Sequence, residues 1–311
     1  VVDYRTALLY SRDDDMYQLG LAEALVGERR ANEAYAYLIN LRDRRPENGQ
    51  VNLELARIEA ARGLTDNALR YYHDAIYAIW PADQELESRN ARLELVHLLL
   101  NIGDRAQADS ELIALAATLG NRAQEHTQAG QLFLQAQDNE RALVQFRMAL
   151  AGNRHDVTAM AGAGNAAFAM RQYTVAEQYL RRAGAAGNKA SQPQLKLAEL
   201  VLHMDPFRTY FKAAERRRIV MDAFASAGQR LQTCSAPGPF SAPPAVLAAL
   251  TQSWTQLKPR ITERDLRRNP DLGSSAMSVV FNIERETNGM CGGMTDTDNA
   301  LLLIANLHEG L

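Results

Sequence analysis

Small and large apolar residues recur among polar ones at helical spacing along most of the chain, and the pattern returns at a fixed interval. Ala34, Ala68, Ala108, Ala142 and Ala176 stand 34, 40, 34 and 34 residues apart. A second series, Ala7, Leu41, Ala75, Leu115, Ala149 and Ala183, steps by 34, 34, 40, 34 and 34. Self-similarity at such a period marks a repeat architecture, in which each unit is one supersecondary block stacked on the next. Both series stretch by six at the same place, so the additional residues fall between Ala75 and Ala108. Residues 79–85 (IWPADQE) are the insertion, with Pro81 ending a helix and lengthening the turn.

Each unit reads as two helices. In residues 52–62, Leu53, Leu55, Ala56 and Ile58 fall on one helical face. Gly63 then stops the helix where a left-handed residue is needed, and Thr65 or Asp66 caps a second helix over 65–79. The next unit repeats the grammar with Leu95, Val96 and Leu99, then Gly103, Asp104 and a helix over 106–117. The alanines of the first series let the two helices of a hairpin approach closely. Four residues beyond each stands a bulky side chain (Leu38, Tyr72, Leu112, Phe146, Leu180) that fills the space between hairpins.

This spacing resembles the tetratricopeptide repeat, whose motif has a small residue at its eighth position, alanine at its twentieth and a proline near its end. Gly20, Ala56, Val96, Gly130 and Gly164 take the eighth position; Pro46 ends the first unit, which has two extra residues near 28–31. The family's tryptophan is replaced by Met16, His126 and Met160 among others. The resemblance covers about residues 13–186 in five units, with a sixth first helix near 192–203. It implies an all-α fold, a right-handed superhelical solenoid of helical hairpins closed by a C-terminal helical cap.

Outside the five units, residues 1–12 resemble the second helix of a truncated upstream repeat, because Ala7 is in phase with the second series. The chain is expected to be a fragment or processed form, and any membrane attachment is expected only through an upstream segment. Residues 13–204 are expected to form the solenoid. Over 205–311 the beat decays into either an elaborated helical cap or a small separate helical domain. Asp205 and Pro206 read as a helix start, for a long helix from Arg208 or Ala213 to about Thr233. Residues 235–244 (SAPGPFSAPP) form a Pro/Ser-rich loop, followed by helices at 245–257, 274–286 and 298–308. Thr295 and Asp298 have capping-box spacing before the last of these. An open solenoid end exposes core, which is why a cap is required there.

Composition narrows the chemistry. The 311 residues carry 34 basic and 37 acidic side chains, a net charge of −3 that exerts no long-range pull on nucleic acid or anionic membranes. No apolar run approaches the roughly 20 residues of a spanning helix. Residues 162–167 (GAGNAA) match the G-x-G-x-x-A fingerprint, but they sit inside a helix with no preceding strand, so helix packing explains them. The six histidines are scattered and have ordinary surface or groove roles, so no metal site is expected. The arginine runs 216–218 and 260–268 are interleaved with Glu215, Glu263, Asp265 and Asp271 and read as solvated helix faces. No nucleophile or acid–base signature appears, so no catalytic residue and no cofactor are expected.

Cys234 and Cys291 are the sharper case. A bridge between them would close a 57-residue interval and staple the final helices to the solenoid. Two free thiols are the alternative. Bridged cysteines place the chain outside the cytoplasm, in the periplasm or at the cell surface; free ones leave it cytoplasmic.

Stacked hairpins turn one face of their first helices inward to build a concave surface. The residues expected there include Tyr17, Leu21, Leu53, Arg57, Leu93, His97, Gln131, Leu134, Asn165, Phe168 and Glu199. Arg57, His97, Gln131 and Asn165 occupy equivalent places and form one polar line. Some tetratricopeptide-repeat proteins grip a chaperone's C-terminal carboxylate with a lysine/asparagine clamp; Tyr17, Leu21, Leu53 and Arg57 stand at those places, so that function is not implied. The expected function is a non-enzymatic scaffold that binds a peptide or helix of a protein partner in the groove, with neither nucleic acid nor a small-molecule substrate. Two other readings stand beside it: a structural subunit that self-associates or docks through its solenoid ends, and an enzyme hidden in residues 245–311.

Overall fold

The computed structural model describes residues 1–80, 85–235, 245–291 and 293–308. Among them the regular elements are helices, with no strand. After α1 (Val2–Tyr10) come five hairpins: α2 (Asp15–Gly27) with α3 (Ala31–Arg44), α4 (Gly49–Ala61) with α5 (Thr65–Ile76), α6 (Glu85–Ile102) with α7 (Arg105–Ala116), α8 (Ala123–Ala136) with α9 (Asn139–Gly152), and α10 (Val157–Ala169) with α11 (Tyr173–Ala185). Then follow α12 (Gln192–Met204), α13 (Ala213–Ser235), α14 (Ala245–Leu257), α15 (Glu263–Arg268), α16 (Asp271–Thr287) and α17 (Asp296–Leu307). Two compact units result, Val1–Gln145 and Phe146–Leu311, with the division falling inside α9.

The beat of the sequence is the beat of the helices. The second helices begin at 31, 65, 105, 139 and 173, the same steps as the alanine series. The turn between the helices of each hairpin is left-handed at Arg29 (φ 62°), Gly63 (74°), Gly103 (83°), Gln137 (68°) and Arg171 (60°), again in register. Gly63 and Gly103 were expected there; the other three turns force a residue with a Cβ into the same conformation. Side chains cap most first helices, with Asp14, Asn48 and Asp156 accepting backbone N–H groups of α2, α4 and α10. Asp104 caps α7 in the same way. Neither Thr65 nor Asp66 caps α5. The turn at Gly63 puts Leu64 at the cap, and Thr65 is already the first helical residue. The proposed insertion lies partly on residues 81–84, outside the described residues.

The first hairpin corrects the reading of its own register. α2 and α4 each have 13 residues and begin 34 apart, so no extra residues lie near 28–31. The counterpart of Ala56 is Ala22, fully buried, rather than Gly20. Gly20 has another use: a Cβ there would stand 2.5 Å from the Tyr4 ring of α1.

In the first unit, Leu21, Leu25, Leu38, Leu53, Leu55, Leu95 and Leu99 form the centre of one apolar core. Asn52 is fully buried and fully engaged: its amide donates to the Pro46 and Asn48 carbonyls, and its oxygen accepts from Arg42 at 2.9 Å. Trp80 donates to the Ala75 carbonyl at 2.9 Å and lies on Gly49, where a Cβ would be 2.5 Å from the ring.

In the second unit the 162–167 glycines do pack helices. A Cβ on Gly162 would meet the Phe146 ring at 2.2 Å, and one on Gly164 would meet Leu180 at 2.6 Å. One core joins Tyr173, Ala198 and Val201 to Phe224, Phe281, Leu301 and Ile304. α17 packs on α12 and α16, and α13 packs on α16. Asp205 does not start a helix. It accepts from the Phe207 N–H and from His308 Nε2, each at 3.0 Å, so it ties a turn to the end of α17. The long helix begins only at Ala213. Thr295 and Asp298 form the expected capping box. Trp254 stacks on Phe224 at 5.5 Å and donates to the Phe224 carbonyl. Cys234 and Cys291 are joined at a Cα–Cα distance of 5.2 Å. The expected loop lies outside the described residues over 236–244.

Candidate functional site

The expected binding residues fall into two classes. Arg57 is half-exposed, and His97, Gln131 and Asn165 are exposed, as a binding face requires. Leu21 and Leu53 are buried, with no accessible surface, and belong to the core. The register explains Leu21: with α2 aligned to α4, it stands opposite Leu55, also buried. The position matching Arg57 is Glu23, and Glu23 is exposed. In the first hairpin the counterpart of Arg57 by register is therefore Glu23 rather than Tyr17 or Leu21. Tyr17, 39% exposed, lies one turn earlier on α2. In the second unit Phe168 is half-buried, edge-on to Tyr173 at 5.2 Å, and Glu199 accepts from Arg181 at 3.0 Å.

Arg57 is less free than the sequence suggests. Its guanidinium grips Glu94 of α6 through two nitrogens, at 2.6 and 3.0 Å, and Glu54 of its own helix at 2.6 Å. Tyr72 of α5 donates to the same Glu94 at 3.2 Å. Burial pushes the Glu54 carboxyl above the usual carboxylate range, against the pull of Arg57. Burial and the neighbouring Glu94 charge likewise raise the Tyr72 phenol, keeping it a donor. The cluster ties α4 to α6 and leaves the Arg57 side chain 38% exposed. Glu54 and Glu94 carried a signal, since they stand 40 residues apart, the same step as Ala56 to Val96.

A hollow of about 290 Å³ lies between α6, α7 and α8, lined by Leu86, Leu93, Leu119 and Leu132 with Arg89 and Gln128. Arg89 and Arg122 both pair with Glu125 at its rim, at 3.0 and 3.3 Å. Leu93 and His97 are one helical turn apart, so the α6 wall of the hollow continues to an exposed polar residue. An apolar floor with a few fixed polar heads suits a side chain of an extended or helical peptide.

His126 departs from its expected surface role. It is buried, with Nε2 2.9 Å from the Gly120 carbonyl and Nδ1 2.8 Å from the Gln145 amide. Arg216 and Arg267 are exposed, as solvated helix faces are, and with half-buried Arg217 they line a pocket in the second unit. Among the described residues no group of three or more His, Cys, Asp or Glu converges as a metal site would require, and no helix is long and apolar enough to cross a membrane.

No protein-family model matches the chain, and no curated protein does. Among solved structures it is similar to YrrB, a TPR protein with an unusual peptide-binding site. The TM-score is 0.50 at 14% identity, over 62% of this chain and 97% of that one. Weaker likenesses are to MamA AMB-1 (TM-score 0.43, 13% identity, 55% of this chain and 90% of that one) and to the TPR domain of P58(IPK) (0.36, 10%, 98% and 93%). Five hairpins in one register, left-handed at every internal turn, together with the likeness to YrrB, give this chain the tetratricopeptide-repeat fold.

Proposed function

We propose that the chain is a non-enzymatic interaction scaffold that holds an extended or helical segment of a partner protein on the first helices of its hairpins. The observation that supports this reading is the hollow between α6 and α8, lined by Leu93 and Leu132, with exposed His97 one turn beyond Leu93 on α6. The helices are ordered before any partner arrives, so binding loses little of the scaffold's entropy. A photo-crosslinking residue placed at 97 or 131 should capture the partner from extracts, whereas one at Arg70 on the exposed side of α5 should not. Capture at 70 alone, or equal capture at all three, would remove the binding face from these helices.

A second reading, assembly through the end of the solenoid, draws on α1. None of its residues is buried, and Val2, Leu9 and Tyr10 are 76, 83 and 88% exposed. Sedimentation velocity separates the two: a concentration-dependent coefficient lost in a Leu9→Glu, Tyr10→Glu variant supports end-to-end assembly, and an invariant monomer opposes it. The Cys234–Cys291 bridge supports an extracytoplasmic location. Intact protein denatured in iodoacetamide without reductant should gain no mass; two modified cysteines would cancel that placement.

A further inference from the structure

The second unit contains a pocket of about 450 Å³ that the proposed face does not use. Its floor is apolar: Phe207, Val220, Leu266 and Met277, the last three buried. Its wall is cationic, formed by Arg216 and Arg217 of α13 and Arg267 of α15. The carboxylate facing them is Glu263, 2.7 Å from Arg217 and 3.9 Å from Arg267. Arg216 donates to the Thr209 carbonyl at 3.3 Å, a neutral acceptor. Two guanidiniums thus share one carboxylate, and a third faces the pocket without one among the described residues. The surrounding segments, 205–222 and 258–274, hold ten basic and six acidic side chains in a chain whose net charge is −3.

We propose that this pocket binds an acidic peptide segment of a partner protein, with one bulky apolar side chain seated on Phe207 and Met277 and carboxylates on the arginine wall. Volume and lining suit one anchor residue, within the usual range of ligand pockets. Guanidiniums are planar forks matched to carboxylates. Their spread over two helices fits a segment with carboxylates on both sides of its anchor better than an amphiphile with a single headgroup. The first turns of α13 and α16 also open on the pocket through Ala213 and Ser274, and their dipoles add to the positive field.

The test uses the full chain and fluorescein-labelled peptide GDEDFLDEG, read by fluorescence anisotropy. Saturable binding is expected, weakened at least about tenfold in an Arg216→Glu, Arg267→Glu variant whose helical circular dichroism is unchanged. Replacing the central FL by SS, or every acidic residue by lysine, should weaken binding comparably. Equal affinity for the double variant or for the lysine peptide would overturn the proposal, as would no binding up to millimolar protein. Laurate binding lost in the double variant, with no binding of the peptide, would overturn it by assigning the pocket to a lipid-like anion.

Discussion

Arg29, Gln137 and Arg171 hold backbone that glycine holds at Gly63 and Gly103 in the equivalent turns. A Cβ in the left-handed region costs about 1–2 kcal/mol, partly offset in glycine by its freer unfolded chain. Gln137 is exposed at the end of α8, so Gln137→Gly should raise stability by about 0.5 kcal/mol, measured by urea unfolding. Arg171 is a poor site for the same change, because its guanidinium also donates to the Asn306 carbonyl. These turns show what the sequence could display. The alanine series was visible because close helix packing restricts side-chain size at every recurrence. The left-handed turns were visible only where glycine marked them; elsewhere packing imposes the conformation on residues that give no local sign. The same holds at the candidate site. His97 and Gln131 follow from periodicity, but the grip of Glu94 and Glu54 on Arg57 requires knowing which helices are neighbours.

At the scale of elements, a two-residue shift of phase in α2 exchanges a buried face for an exposed one, which is why Leu21 belongs to the core and Glu23 to the surface. The first hairpin misleads on that phase because Gly20, inside α2, is small to admit the Tyr4 ring of α1 and does not mark the hairpin position that Ala22 fills. The C-terminal helices were legible at α14, where the apolar run is bounded by prolines, and at the capping box of α17. Asp205–Pro206 was not, since aspartate caps turns and helices alike. Between α16 and α17 lies a group no pattern revealed. Glu284 is fully buried, and neither of its oxygens has a hydrogen-bond partner among the described residues. Burial, with Asp298 adding to it and Arg230 opposing, pushes its carboxyl up to about 8. The folded state therefore holds a proton that the unfolded chain has released above about pH 4.3. Stability should fall as pH rises from there toward 8, by at most about 1.4 kcal/mol per unit. Glu284→Gln should flatten that slope and stabilise the protein at pH 9, measured by urea midpoints at both ends of the range.

At the scale of the molecule, each unit has an apolar core of its own among the described residues, one including residues from Leu21 to Ala108 and one including residues from Tyr173 to Ala305. The disulfide belongs wholly to the second, where Cys234 ends α13 and Cys291 precedes α17. Reduction should weaken that unit by about 2–4 kcal/mol and leave the hairpins of the first unit at their original midpoint. A single shared transition that moves as a whole would mean that the cores unfold together. The chain has two tryptophans, one in each unit: Trp80 seated on Gly49 and Trp254 stacked on Phe224. Each indole loses its neighbour only when its own unit opens. Trp80→Phe and Trp254→Phe variants therefore turn intrinsic fluorescence into two separate optical channels, through which the fate of either half can be followed during ligand titration, reduction or refolding without any attached dye.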